Sequence, residues 1–135
     1  MNINGINHIT ISIIDIEESF LFYKDMLGFK PIMKSGFSAY FLCGKMWIAL
    51  QQEPNVQRIN EMYSHIAFNT PKKIFNEMIS RLKKNGVREW KDNSTEGESF
   101  YFLDPSGNKF ELHYSTLKNR LKSAKKEWKD VTFFM

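Results

Sequence analysis

On either side of a central polar stretch, this chain gives the same order of signals: an apolar strand opened by a histidine, a helix closed by glycine, then strands around a tight turn. Self-similarity of this kind constrains the fold more than any single motif, because each copy places equivalent residues at equivalent points. In the first copy, residues 6–14 alternate apolar and polar side chains, the pattern of a half-buried strand. Asp15 followed by Glu18 is a capping-box start. Ile16, Phe20, Tyr23 and Leu27 recur at helical spacing, and Gly28 stops the helix. Two strands follow, Ser38–Leu42 and Met46–Leu50, joined by a turn at Gly44-Lys45.

The second copy repeats this order. Ser64-His65-Ile66-Ala67-Phe68 reads as a strand, and Thr70-Pro71 as a helix cap followed by a first-turn proline. Ile74, Met78, Ile79 and Leu82 form the apolar stripe, and Asn85-Gly86 ends the helix. Glu98–Leu103 and Lys109–Tyr114 are strands joined by Asp104-Pro105-Ser106-Gly107, residue types that favour a tight turn. The predicted fold class is α+β, built from duplicated βαβββ modules in one domain over residues 1–135. Module one spans about residues 4–51 and module two about 62–114, with the polar stretch Gln51–Glu61 between them. Ser115 or Thr116 caps a last helix over about 115–128, and the apolar tail Val131–Phe134 should pack on something.

Charge and cysteine content exclude several roles. The net charge of +4 raises nucleic-acid binding as a possibility. However, the basic residues are scattered, except for Lys118, Lys122, Lys125, Lys126 and Lys129, whose three- and four-residue steps mark the solvated face of a helix. No nucleic-acid partner is therefore expected. Cys43 is the only cysteine, so neither an internal disulfide nor a thiolate metal site is available, and a reducing, cytoplasmic setting is expected. As a nucleophile Cys43 lacks a neighbouring base, which makes it an inert core residue. No run reaches the roughly eighteen apolar residues of a membrane span.

Histidines 8 and 65 hold the same place in the two copies, so duplication puts them at symmetry-related points. Glu111 stands mid-strand, pointing opposite Phe110 and Leu112 and to the same side as His113, a rival ligand. The first copy carries no carboxylate at Trp47–Leu50, where a counterpart of Glu111 should fall. Two imidazoles and one carboxylate make an open metal site with positions left for water and substrate. The hydroxyl- and lysine-bearing loop from Lys91 to Tyr101 suits an anionic substrate.

Several segments together resemble the fosfomycin-resistance thiol transferases of the vicinal-oxygen-chelate superfamily, relatives of glyoxalase I and the extradiol dioxygenases. They are Asn7-His8-Ile9-Thr10, Phe22–Phe29, Tyr63–Phe68, Gly86–Lys91, Glu98–Pro105 and Phe110–His113, covering Asn4 to about Arg120. The histidine and strand pattern indicates only the superfamily, and the Lys91–Tyr101 loop points to the fosfomycin branch. The resemblance implies a vicinal-oxygen-chelate fold and a homodimer with swapped modules, each site taking its first histidine from one chain and its other ligands from the partner. It implies His8, His65 and Glu111, rather than His113, as ligands of a divalent ion, usually manganese, with zinc as an alternative. Thr10, Lys91, Ser99, Tyr101 and Arg120 match the residues that hold the phosphonate and epoxide oxygen. Asn93, Thr95, Glu96, Gly97 and Ser99 match a potassium loop. Tyr40 matches a tyrosine near the incoming thiol, which makes it and Thr10 the expected catalytic contacts. Trp47 and Tyr63 match aromatic walls of the pocket.

The implied activity is addition of glutathione to the epoxide of fosfomycin. Departures from the pattern fall on the thiol side: Thr95 stands for a serine of the potassium loop, Gln51 replaces another serine, and Ser35-Gly36-Phe37 and Ser94 lack the Trp, Gln and Arg that line the glutathione channel in some members. Transfer to another thiol and epoxide hydration are the alternatives. Leu42-Cys43-Gly44-Lys45-Met46 lacks the acid that the hydrolytic branch uses, which lowers the second. Glyoxalase-type isomerisation normally wants a second carboxylate ligand. A non-catalytic sequestering protein would have no need of both histidines and Glu111.

Overall fold

The alternating strand that His8 opens is β1 (His8–Ile13), whose Ile11 and Ile13 are buried. Asp15 then caps α1 (Ile16–Leu21), its carboxylate accepting from the Glu17 and Glu18 amides. The helix widens over Phe22–Met26, where the Leu27 amide reaches back to the Phe22 carbonyl, and ends at Gly28, φ +75°. Strands β2 (Lys30–Lys34), β3 (Ser38–Cys43) and β4 (Met46–Gln52) complete the first module. The second contains β5 (Ile66–Asn69), α2 (Lys72–Lys84), β6 (Ser99–Leu103) and β7 (Lys109–His113), followed by α3 (Leu117–Glu127). This computed structural model describes residues 1–58, 61–93 and 97–134.

The strands form two sheets with matching logic. In the first, ordered β1-β4-β3-β2, the histidine-bearing strand pairs parallel with β4; in the second, ordered β5-β7-β6, β5 pairs parallel with β7. Helices with each sheet give the expected α+β architecture. The second module departs at one strand. Where β2 has a counterpart, residues 88–93 run beside β6 without forming a ladder. The Leu103 amide bonds the Arg88 carbonyl, and the Asn93 side-chain amide pairs with both the N–H and C=O of Tyr101. A side chain thus does what a backbone partner does in module one. Strand β2 itself is the outermost of its sheet, with Pro31 in it and an irregular register between Pro31 and Met33.

One aromatic core joins the modules. Phe41, Phe100, Phe102, Phe110 and Tyr23 are fully buried, and Phe29 packs edge-on against Phe68 across the module boundary. The Tyr23 hydroxyl donates to the Asp104 carboxylate at 2.7 Å, a buried contact between residues 81 positions apart. That carboxylate also accepts from the amides of Ser106 and Asn108 and from the Asn108 side chain, so every amide N–H of the turn at 104–107 is bonded. Burial first, and the neighbouring carboxylate second, hold the Tyr23 phenol well above its ordinary pKa. The same turn caps the free edge of β1: Ser106 Oγ accepts from the Ile14 amide, while Asn108 and Arg58 both donate to the Ser12 carbonyl.

Three local expectations are corrected. Pro71, not Thr70, precedes the first helical residue, and no side chain caps α2; the Thr70 amide instead bonds the His113 carbonyl beside β7. Leu82 of the predicted stripe is fully buried and Met78 and Ile79 pack against the core, but Phe75, outside that stripe, is the other residue α2 buries, and Ile74 is only partly covered. The tail is largely exposed, Val131 and Phe134 included; Phe133 meets only the Lys125 ammonium among the described contacts. Thr116 is the α3 cap, accepting from the Asn119 amide.

Candidate functional site

Side chains on one face of the second sheet converge. Glu111 on β7 stands across from Ala67 on β5 and Tyr101 on β6, and His113 across from Asn69 and Ser99. His65 lies one residue before β5. Its Nε2 is 2.9 Å from Glu111 Oε1, and its Nδ1 is 2.8 Å from the Tyr63 carbonyl. A carbonyl can only accept, so Nδ1 carries a proton and a neutral ring turns the Nε2 lone pair toward a carboxylate oxygen. Two lone pairs at that distance repel; a second proton or a cation must lie between them. The arrangement fits a divalent ion: ligands bound at about 2.1 Å and at right angles stand about 3 Å apart, and an Nδ1–H held by a carbonyl is the usual way to aim Nε2 at a metal. Glu111 is nearly buried, and its other oxygen accepts the Ser99 hydroxyl at 2.6 Å.

An aromatic cage encloses this pair. Trp90 packs against His65 at 5.1 Å, Tyr101 at 5.2 Å and Tyr63 at 5.8 Å, and its indole N–H is pinned to the Phe110 carbonyl. Lys91 leaves the cage next, its ammonium 2.9 Å from the Tyr63 hydroxyl and 4.6 Å from the Tyr101 ring centroid. An exposed lysine is cationic at neutral pH, and the hydrogen bond to Tyr63 raises its pKa further, which suits an anion site. Trp90 organises this cage, yet sequence reasoning gave it no role. An isolated tryptophan in a polar segment has no periodicity to betray it.

The first sheet contributes a separate group. His8 stacks on Trp47 at 4.3 Å, its Nδ1 within 2.8 Å of the Asn7 side-chain oxygen, and Tyr40 meets Trp47 edge-on. The Trp47 indole N–H is buried without an acceptor among the described residues. Thr10 shares the His8 face of β1 and stands across from Ala49. Thr10 and His65 line one cavity of about 300 Å³ between the edges of β1 and β5. His8 makes no contact with His65 or Glu111, and among the described residues no three His, Cys, Asp or Glu side chains converge as a metal-holding group. Arg120 sits on α3 with its guanidinium over the Trp128 ring, without a described bond to Lys91, Ser99 or Tyr101. Of the loop residues, Asn93 commits its side-chain oxygen to the Tyr101 amide, and Ser99 commits its proton to Glu111. Thr95 and Glu96 lie outside the described residues, and Gly97 follows them. Cys43 is half-buried, and burial raises its thiol pKa, which leaves it a poor nucleophile.

Comparison with known proteins bears on this geometry. Residues 5–112 match the Glyoxalase/Bleomycin resistance protein/Dioxygenase superfamily. The metallothiol transferase FosB of Staphylococcus saprophyticus is 39% identical over 98% of this chain and 91% of its own length. The glutathione transferase FosA of Serratia marcescens is 34% identical, covering 93% of this chain and 91% of its own. Among solved structures, a mutant of the fosfomycin resistance protein FosX of Listeria monocytogenes superposes with a TM-score of 0.78 and 30% identity, covering 89% of this chain and 99% of that one. That crystal holds Mn(II) and dihydroxypropylphosphonic acid.

Proposed function

This chain belongs to the Glyoxalase/Bleomycin resistance protein/Dioxygenase superfamily, among its Fos fosfomycin-resistance members, and from that premise we propose that it is a metal-dependent transferase adding a thiol, glutathione first, to the epoxide of fosfomycin. The observation that carries the reading is the His65–Glu111 pair, whose spacing and aimed Nε2 suit a bound cation between them. His8, with Nδ1 occupied by Asn7 and Nε2 left over, is the third ligand in this reading. Because His8 makes its contacts on the other sheet, we assign it to the partner's site in a homodimer, each site combining His8 of one chain with His65 and Glu111 of the other. Manganese, present in the FosX relative, is the proposed ion.

A divalent ion held there supplies Lewis-acid polarisation of the epoxide oxygen. This chain's own residues do the rest. Lys91, held in place by its hydrogen bond to the Tyr63 hydroxyl, offsets the phosphonate charge that would repel an incoming thiolate. In this reading Tyr101, whose ring lies against the Lys91 ammonium, and Thr10, from the face that carries His8, add hydroxyls toward the phosphonate, and Ser99 acts through Glu111. Tyr40 and Trp47 wall the thiol side, and Trp47 keeps an N–H free for an acceptor. Arg120 is a further phosphonate contact, to be brought in from α3. A potassium ion at Asn93, Thr95, Glu96, Gly97 and Ser99 belongs to the same reading, with backbone carbonyls replacing the Asn93 and Ser99 side-chain groups that are already bonded.

Water as the nucleophile is the second reading, favoured by the diol phosphonate in the FosX complex. Manganese-loaded protein incubated with fosfomycin and, separately, glutathione, cysteine, bacillithiol or water alone will separate them by product mass. A glutathione adduct is expected. A diol in every tube would replace the transferase reading with hydrolysis, and unchanged fosfomycin throughout would remove both.

A further inference from the structure

His113 has no role in the reaction as described so far, but the hydrogen bonds around it leave little freedom. Glu111 uses Oε1 toward His65 and Oε2 toward Ser99 Oγ, at 2.6 Å. A serine hydroxyl has one proton, and a carboxylate oxygen takes it. Ser99 Oγ must therefore accept from its other neighbour, His113 Nδ1, at 2.7 Å, which makes Nδ1 the protonated nitrogen of that ring. The same N–H also lies 3.3 Å from Glu111 Oε2. The chain of donors runs His113 to Ser99 to Glu111, and it fixes the rotation of the carboxylate about its long axis. Oε1 is thereby turned toward His65, and Oε2 is held away from it.

The first module provides an internal comparison. Counting along each strand from its histidine, Thr10 pairs with Ala49 where Ala67 pairs with Glu111, and Ser12 with Gln51 where Asn69 pairs with His113. On the flanking strand, Tyr40 and Ser38 match Tyr101 and Ser99. Serine and tyrosine are thus present in both copies. Where the carboxylate is replaced by alanine, the histidine is absent too, and Ser38 bonds Ser35 instead at 2.8 Å. The histidine accompanies the carboxylate and not the serine.

We infer that His113 is a positioning residue, which acts through Ser99 to hold Glu111 in the orientation that binds the divalent ion. This rests on the reading of His65 and Glu111 as metal ligands. Its physical basis is general: a ligating carboxylate free to rotate spends binding free energy on being ordered, and groups behind a ligand typically contribute 10- to 100-fold in affinity. His113 is not itself a ligand in this account: its described contacts, to Ser99 Oγ and Glu111 Oε2, are both made through Nδ1, and the Nε2 that ligation would need makes neither of them.

Calorimetric titration of manganese into the full-length protein and its variants tests this without any turnover. His113→Ala should weaken binding by about 10- to 100-fold. His113→Asn places an amide N–H near the lost Nδ1–H and should recover most of that loss, which a residue needed only for packing would not allow. Removing His113 from a Ser99→Ala background should cost almost nothing further, since the relay is already cut. Unchanged affinity in His113→Ala, failure of the asparagine to rescue, additive losses in the double variant, or complete loss of binding at His113→Ala would each overturn the inference. If the wild-type protein takes up no divalent ion, the metal reading itself fails, an outcome distinct from all four. Far-UV dichroism on each variant confirms that the fold is intact, and Ser99→Ala alone keeps the relay testable if His113→Ala does not fold.

Discussion

The two modules present the same pleated face with different chemistry at several positions, two of them on the strand paired parallel with the histidine strand. Ala49 and Gln51 stand in the first where Glu111 and His113 stand in the second, while the histidine, tyrosine and serine around them are kept. The two hairpin turns differ as well. The turn at 104–107 has every amide N–H bonded and ties into the other module through Tyr23 and Ser12. The turn at Gly44-Lys45 meets the second module across a cavity of about 230 Å³ lined by Cys43, Phe68 and Pro71. Duplication supplies equivalent places, and in the proposed reading the carboxylate of Glu111, with only Ala49 at the matching place, is what fits the second sheet to supply most of a metal site. The copy with the stronger network at its site also supplies the stronger clamp between modules.

The largest test of that contrast is at the paired positions. Glu111→Ala and His65→Ala should each abolish activity and weaken manganese binding by more than about 100-fold, beyond what residues behind a ligand contribute. Gln51→Ala, at the matching place in the first sheet, should leave the titration curve where it was. Similar losses from both modules would break the asymmetry. The two turns are compared by denaturant unfolding. Tyr23→Phe leaves the buried Asp104 carboxylate one donor short and should cost about 1–3 kcal/mol. Cys43→Ala, beside a cavity, should cost less than about 1.5 kcal/mol, and the reverse ranking would misplace the clamp.

A smaller effect tests whether the halves meet in a dimer. Inactive His8→Ala and Glu111→Ala proteins, mixed and allowed to exchange, should recover about a quarter of wild-type activity, since half the dimers are mixed and each holds one intact site. No recovery after verified exchange would build each site within one chain. The smallest concerns the loop of the second module. Exchanging potassium for sodium at constant ionic strength should slow glutathione addition by less than about tenfold, or 1.4 kcal/mol. Equal rates in potassium, sodium and a bulky organic cation would take the ion out of the reading.

The sequence was legible where signals are local or repeated. His8 and His65 at strand starts, Gly28 and Gly86 at positive φ, the Asp15 cap and the missing carboxylate opposite Thr10 all follow from spacing alone. It was silent where one side chain reaches far along the chain. Nothing near Tyr23 announces Asp104, and nothing near Asn93 announces that its amide will stand in for a strand. Thr70 reads as a cap because threonine before proline often is one, but the first helical bond runs from the Ile74 amide to the Pro71 carbonyl, so the helix starts one residue further on. The resemblance gathered Lys91, Tyr101 and Tyr63, which meet in the structure, with Arg120, which here lies over Trp128.

The outer strand β2 carries a consequence for how this protein behaves at high concentration. An exposed strand edge is a template on which a neighbouring molecule can add a strand, the first step of aggregation. Strand β2 combines Pro31, which has no N–H to offer, with an irregular register and a lysine at each end, Lys30 and Lys34. Edge-to-edge growth therefore meets a missing donor, a bend and the Lys30 charge, with Lys34 tied to Glu17. On the other sheet, residues 88–93 lie along β6, so that edge is covered by the chain itself. The molecule can keep two open-ended sheets and still resist joining them end to end.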